Sequence, residues 1–133
     1  MQRIEGLIES GRVRDRRSHR SDNITQALRY LLDACRESGR LEAMALADRD
    51  GLLLATAGDI AACEEVAARV AGIPIDVGSF RGTVIGEAGA WPVHMRRLKI
   101  TELSLYVCAV GGDPADRTRA VTRAGAGIER ILA

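Results

Sequence analysis

Apolar positions recur with a helical period at Ile24, Ala27, Leu28, Leu31, Leu32 and Cys35, one stripe at i, i+3, i+4, i+7, i+8 and i+11. Ser21 or Asp22 can cap that helix by accepting from its free amides, and Gly39 can end it in the left-handed conformation. Upstream, Ile4, Leu7 and Ile8 have the spacing of a short amphipathic turn. The pattern then changes. Leu41 to Ala47 and Leu52 to Thr56 are short apolar runs on either side of Asp48-Arg49-Asp50-Gly51, and Asp-Gly is a hairpin signal because the turn needs positive φ. Both runs are apolar nearly throughout, which predicts a sheet covered on both faces.

Asp59 is placed to cap a second helix with Ile60, Cys63, Ala67 and Val70 inward, ended by Gly72 and Pro74. The stretch from Ile73 to Gly82 reads as a loop. Thr83 to Glu87 and Trp91 to Leu98 read as a second hairpin around Ala88-Gly89-Ala90, with Pro92 near the start of its strand, where a missing N–H matters least. Leu103 to Val110 is the strongest strand and is expected at the centre of the sheet. Gly111-Gly112 turns the chain, Asp113 caps, and Pro114 begins a last helix with Val121, Ala124, Ile128, Ile131 and Leu132 inward. Gly125 and Gly127 each cost about 1 kcal/mol relative to alanine in a helix, so a close approach of another backbone is expected there. The predicted order is αββαβββα, an α+β sandwich with one sheet between helices.

A chain of 133 residues fits one domain with a core that needs no metal or disulfide staple. Five arginines against one aspartate between Gly11 and Arg20 mark residues 1–20 as a basic, mobile arm, and residues 21–133 as the domain. The arm reads as solvated; its functional alternative is contact with an anionic partner. Net charge is +1 and aromatics are 3%, which argues against a nucleic-acid binder built on charge or base stacking. Cys35, Cys63 and Cys108 lie far apart on apolar faces and read as buried free thiols in a reducing compartment, with no zinc pattern. No apolar run is long enough to span a bilayer, so a cytoplasmic protein without stable membrane insertion is expected.

The stretch from Ala47 to Gly58, containing Asp48, Asp50, Gly51 and Ala55, followed by Glu64-Glu65-Val66-Ala67-Ala68, resembles the roadblock/dynein light chain family, as do the strand Leu103 to Val110 and the last helix behind Gly111-Gly112. The resemblance covers about Asp22 to Ala133. It implies a five-stranded antiparallel sheet with the second helix on one face and the first and last on the other. It also implies a homodimer or heterodimer joined edge to edge through the third strand, here Thr83, Val84, Ile85, Gly86 and Glu87. The second helices would lie side by side, with Glu64, Glu65, Ala68 and Arg69 offered to a partner. Such proteins are mostly not enzymes and hold no cofactor; they regulate or scaffold small Ras-like GTPases, or serve as nucleotide-independent adaptor subunits of larger complexes. The alanines at Ala61, Ala62, Ala67, Ala68 and Ala71 would allow close helix pairing, and equally suit packing on a sheet.

Catalytic chemistry finds little support. His94 lies in Val93-His94-Met95-Arg96-Arg97 with no evident carboxylate or nucleophile, so a surface or half-buried strand histidine is expected. Ala109 to Pro114 superficially suits phosphate, but Asp113 would put a negative charge where the phosphate should sit, and a structural turn and cap is expected. On a strand, Arg97 and Lys99 point to one face and Arg96 to the other, so they form no single patch.

Overall fold

The computed structural model describes residues 11–74 and 77–133, residues 11–21 by backbone alone. Three helices, α1 (Gly11–Gly39), α2 (Ile60–Val70) and α3 (Pro114–Leu132), accompany five strands, β1 (Ala43–Asp48), β2 (Leu53–Gly58), β3 (Ser79–Ile85), β4 (Ala90–Ile100) and β5 (Leu103–Val110). The chain order is the expected αββαβββα, and the strands form one antiparallel sheet in the order β2-β1-β5-β4-β3. As its composition predicts, β5 is central, paired with β1 from Ala43↔Val110 to Asp48↔Leu105 and with β4 from Val93↔Val110 to Ile100↔Leu103.

Side-chain alternation along the strands divides the interior in two. Leu105, Val107 and Ala109 join Met44 and Leu46 beneath Leu28 and Leu32 of α1 and Val121, Ala124 and Ile128 of α3. Tyr106, Cys108 and Val110 join Ala43, Ala45 and Ala47 beneath Cys63, Val66 and Val70 of α2. Each fully buried Val or Leu contributes roughly 1.5–3 kcal/mol, so both layers are needed to hold the sheet.

Local chemistry sets the turns. Asp48 Oδ1 accepts from the amides of Asp50 and Leu52, both at 2.9 Å, while Gly51 supplies φ +87°. Asp59 caps α2 by accepting from the Ala62 amide at 3.2 Å, and Asp113 caps α3 by accepting from the Asp116 amide at 3.0 Å. That amide bond holds the Asp113 carboxyl below its ordinary range.

Several local expectations are corrected. The first helix does not begin at Ser21 or Asp22: it runs on from Gly11, and arginine, abundant there, is a good helix former. Ile4, Leu7 and Ile8 lie outside the described residues. At the other end the left-handed residue is Arg40 (φ +54°) rather than Gly39. The Leu41 amide returns to the Arg36 carbonyl at 3.0 Å, and the Leu41 side chain folds over Gly39, where a Cβ would lie 3.2 Å from its Cγ. Ile60 is exposed, and Ala62 and Val66 bury in its stead. The supposed loop ending at Gly82 is strand from Ser79, because Gly82 leaves room for the Phe80 ring: a Cβ there would meet Phe80 Cζ at 2.9 Å. Gly86 and Glu87 fall beyond that strand, in the turn to β4. Gly125 and Gly127 admit leucine side chains, not a backbone: a Cβ at Gly127 would lie 2.6 Å from Leu31 Cδ2, and one at Gly125 would lie 3.2 Å from Leu98 Cδ2. Finally, β2 is an edge strand and only partly covered, so Leu54 is exposed.

Gly58 tests the junction of β2 and α2. It has φ +84°, and a Cβ there would come within 2.3 Å of the Glu42 carbonyl oxygen. Gly58→Ala is expected to cost about 2 kcal/mol or more in urea unfolding. Gly78→Ala, where a Cβ meets nothing within 4 Å, is expected to stay within about 0.5 kcal/mol of the parent.

Candidate partner interface

The β3 strand ends the sheet: it pairs with β4 from Ser79↔Arg96 to Ile85↔Ala90, and no described strand pairs with its other side. Its residues are exposed apart from Val84, and Ile85 is its most exposed large apolar side chain, at 69%. Phe80, Gly82 and Val84 face the α2 side of the sheet, opposite Met95, Val93 and Trp91. There a groove of about 330 Å³ runs between the C-terminal end of α2 and β3, lined by Ala68, Arg69, Ile73, Phe80, Thr83 and Met95 among others. The outer side of α2 continues the surface with Ile60, Glu64, Ala68 and Ala71 exposed.

Glu65 secures α2 to this edge. Its carboxylate accepts from the Trp91 indole Nε1 and from the Ala88 amide, both at 2.7 Å. The indole bond, then the amide bond, hold its carboxyl below the usual glutamate range. The carboxylate lies against Gly86, where a Cβ would fall 2.1 Å from Oε1, so the turn after β3 is shaped around it.

The structure thus separates the residues expected to meet a partner. Ala68 and Arg69 come together with Thr83 and Val84 around one groove. Glu64 is exposed on α2, whereas Glu65 is turned inward to the β3–β4 turn. Thr83, Val84 and Ile85 stand on the edge strand, Val84 with its side chain buried beneath α2; Gly86 and Glu87 stand in the turn. Phe80 and Ile73 also line the groove, an addition to the expected set. The alternation of Phe80, Gly82 and Val84 is the signal that could have extended the strand to include Phe80.

The remaining chemical candidates are internal. His94 is 5% exposed rather than on the surface, with Nδ1 3.4 Å from Thr118 Oγ1. Burial, then the positive charges of Arg81, Arg117 and Arg96, push its pKa down. Burial pushes the Cys63 thiol up to about 11 and the Cys108 thiol up to about 12, and raises that of Cys35, so none is a ready thiolate. Cys63 Sγ donates to the Met44 carbonyl at 3.4 Å. Among the described residues no group of three or more His, Cys, Asp or Glu could hold a metal, and no helix is long and apolar enough to cross a membrane.

No protein-family model and no curated protein matches the chain. Its fold does match solved structures. MglB of Myxococcus xanthus superposes with a TM-score of 0.56 at 10% identity, over 80% of this chain and 88% of that one. An MglB with a tetrameric arrangement gives 0.59 at 13% identity, over 82% and 90%. The gliding protein MglB from Thermus thermophilus gives 0.56 at 15% identity, again over 82% and 90%. The chain therefore has the roadblock-type α+β fold, which it shares with MglB.

Trp91, the single tryptophan, reports on the carboxylate that anchors it. Because the folded pKa of Glu65 lies below its unfolded value, its contribution to stability is present above the unfolded value of about 4.3 and is lost as pH falls through the folded one. Glu65→Ala is expected to shift Trp91 emission to the red at neutral pH and to lower the unfolding midpoint. Glu65→Gln keeps an acceptor and removes the acid-dependent part. Fluorescence-monitored unfolding between pH 3 and 7 checks both.

Proposed function

We propose that the chain is a non-enzymatic, dimeric binding module that regulates or scaffolds a small Ras-like GTPase. The observation that carries this reading is the open edge of β3 beside the groove of Ala68, Arg69, Phe80 and Thr83. An edge strand with free amides and carbonyls is a template for another strand. Exposed Phe80 on the groove side and Ile85 on the other face add apolar area along the same strand. The roadblock-type fold supports the assignment, and so does the tetrameric arrangement in which one MglB was solved. In this reading two copies, or this chain and a similar subunit, pair through β3. The small side chains of Ala61, Ala68 and Ala71 let the α2 helices lie together, and Glu64 and Arg69 face the partner from the joined surface. In this reading the module acts by contact, in the cytoplasm.

Sedimentation tests the pairing. The parent chain is expected to be dimeric at micromolar concentration, and Ile85→Lys, at a position 69% exposed, is expected to weaken the dimer about tenfold or more without loss of fold. A parent that stays monomeric at 100-fold higher concentration removes the pairing of two copies through β3 and leaves only pairing with a similar subunit.

Affinity capture from the organism's own lysate, run with GDP and with a non-hydrolysable GTP analogue, tests the partner. A small GTPase enriched with the analogue alone is the expected result. Retention of the same proteins with either nucleotide would replace this reading with that of a nucleotide-independent adaptor.

A further inference from the structure

On the opposite face of the same edge lies a cleft of about 360 Å³, bounded by Arg81 and Thr83 of β3, His94 of β4, and Arg117 and Thr118 of α3. Its charge is one-sided. Its lining carries Arg81 and Arg117 and no carboxylate. Arg117 is held in place because its Nη1 donates to the carbonyls of Gly111 and Gly112 at 2.8 and 2.9 Å. That leaves the other donors of the guanidinium fork for a ligand. His94 is almost wholly buried, and the approach of its Nδ1 to Thr118 Oγ1, at 3.4 Å, is long for a hydrogen bond.

We propose that this cleft binds a tetrahedral oxyanion, either inorganic phosphate or the phosphate group of a nucleotide. Guanidinium forks match phosphate oxygens in pairs, and the hydroxyls of Thr83 and Thr118 supply further donors at the walls. The anion would be held by side chains and not by the first amides of α3, where the Asp113 carboxylate already serves as cap. This differs from the turn at Gly111-Gly112, which remains structural. The proposal does not depend on the GTPase reading.

The charged groups acting on His94 are Arg81 from β3, Arg96 from β4 and Arg117 from α3, all cationic. Together with burial they favour the neutral ring. An anion reverses the balance, so binding raises the pKa of His94, and affinity rises as pH falls through its range. The test is an NMR titration of the His94 Cε1 proton in the full chain, assigned against His94→Asn. Inorganic phosphate and GDP are added in separate arms at ionic strength fixed with sodium chloride. The expected result is a saturable rise of the His94 midpoint with phosphate, and phosphate affinity lowered about tenfold in Arg81→Gln, the loss of one charge-assisted contact. Arg81 lies exposed on the edge strand. Saturation by GDP at lower concentration than by phosphate assigns the site to a nucleotide; the reverse order assigns it to free phosphate. A midpoint that does not move, a shift that chloride reproduces, or equal affinity in Arg81→Gln would overturn the proposal.

Discussion

Everything in this molecule hangs on burial of β5 from both sides. Six consecutive residues, Leu105 to Val110, are buried, alternately toward α1 and α3 and toward α2. Such a strand has no polar face to offer water, so it is stable only at the centre of a sheet with helices above and below. Once β5 is central, β1 and β4 must flank it, and β2 and β3 become the two edges. The exposed edge at β3 thus follows from the most buried strand.

The two faces are unequal. On the α2 side β1 contributes Ala43, Ala45 and Ala47; on the other it contributes Met44 and Leu46. One short helix seated over methyl groups covers the first face, while two long helices with leucines and valines cover the second. Because α2 packs chiefly on β1 and β2, the β3 end of its face is left as a groove, and Glu65 spans that distance to reach Trp91 and the β3–β4 turn. A carboxylate on the supposed contact helix is in this way drawn into internal architecture, while Glu64 beside it stays in solvent.

Periodicity exposed the elements because their causes are local. The stripe from Ile24 to Cys35, the Asp-Gly turn, the caps at Asp59 and Asp113, and the unbroken run into Val110 each carry their own physical reason. What was not legible depended on neighbours distant in sequence. Gly82 reads as a loop residue until Phe80 is seen lying over it, and Gly127 is costly until Leu31 fills the space. Ile60 fits an inward stripe, yet it is exposed while Ala62, Cys63 and Val66 are buried, so the inward face of α2 is turned from the one the apolar pattern suggests. Glu65 and Glu64 are indistinguishable as letters; only the placement of Trp91, 26 residues on, separates them. The edge position of β3 followed from a resemblance rather than from any residue in it, and the meeting of Arg81, His94 and Arg117 required three elements to be folded first.

The two edges of the sheet are not equivalent. The register of β1 and β2 shifts at Leu46/Ala47, a bulge at the β2 end, and α1 packs alongside β2. The register of β3 against β4 is unbroken, and no described strand pairs with its outer side. Bulges and covering elements blunt an edge against further strands, and their absence leaves it receptive. The sheet accordingly has a valence of one. A strand added at β3 would consume its free side, and an isologous pair formed there would be closed, with its β2 ends facing outward. Pairing of that kind would leave no second β3 edge from which a fibre could grow.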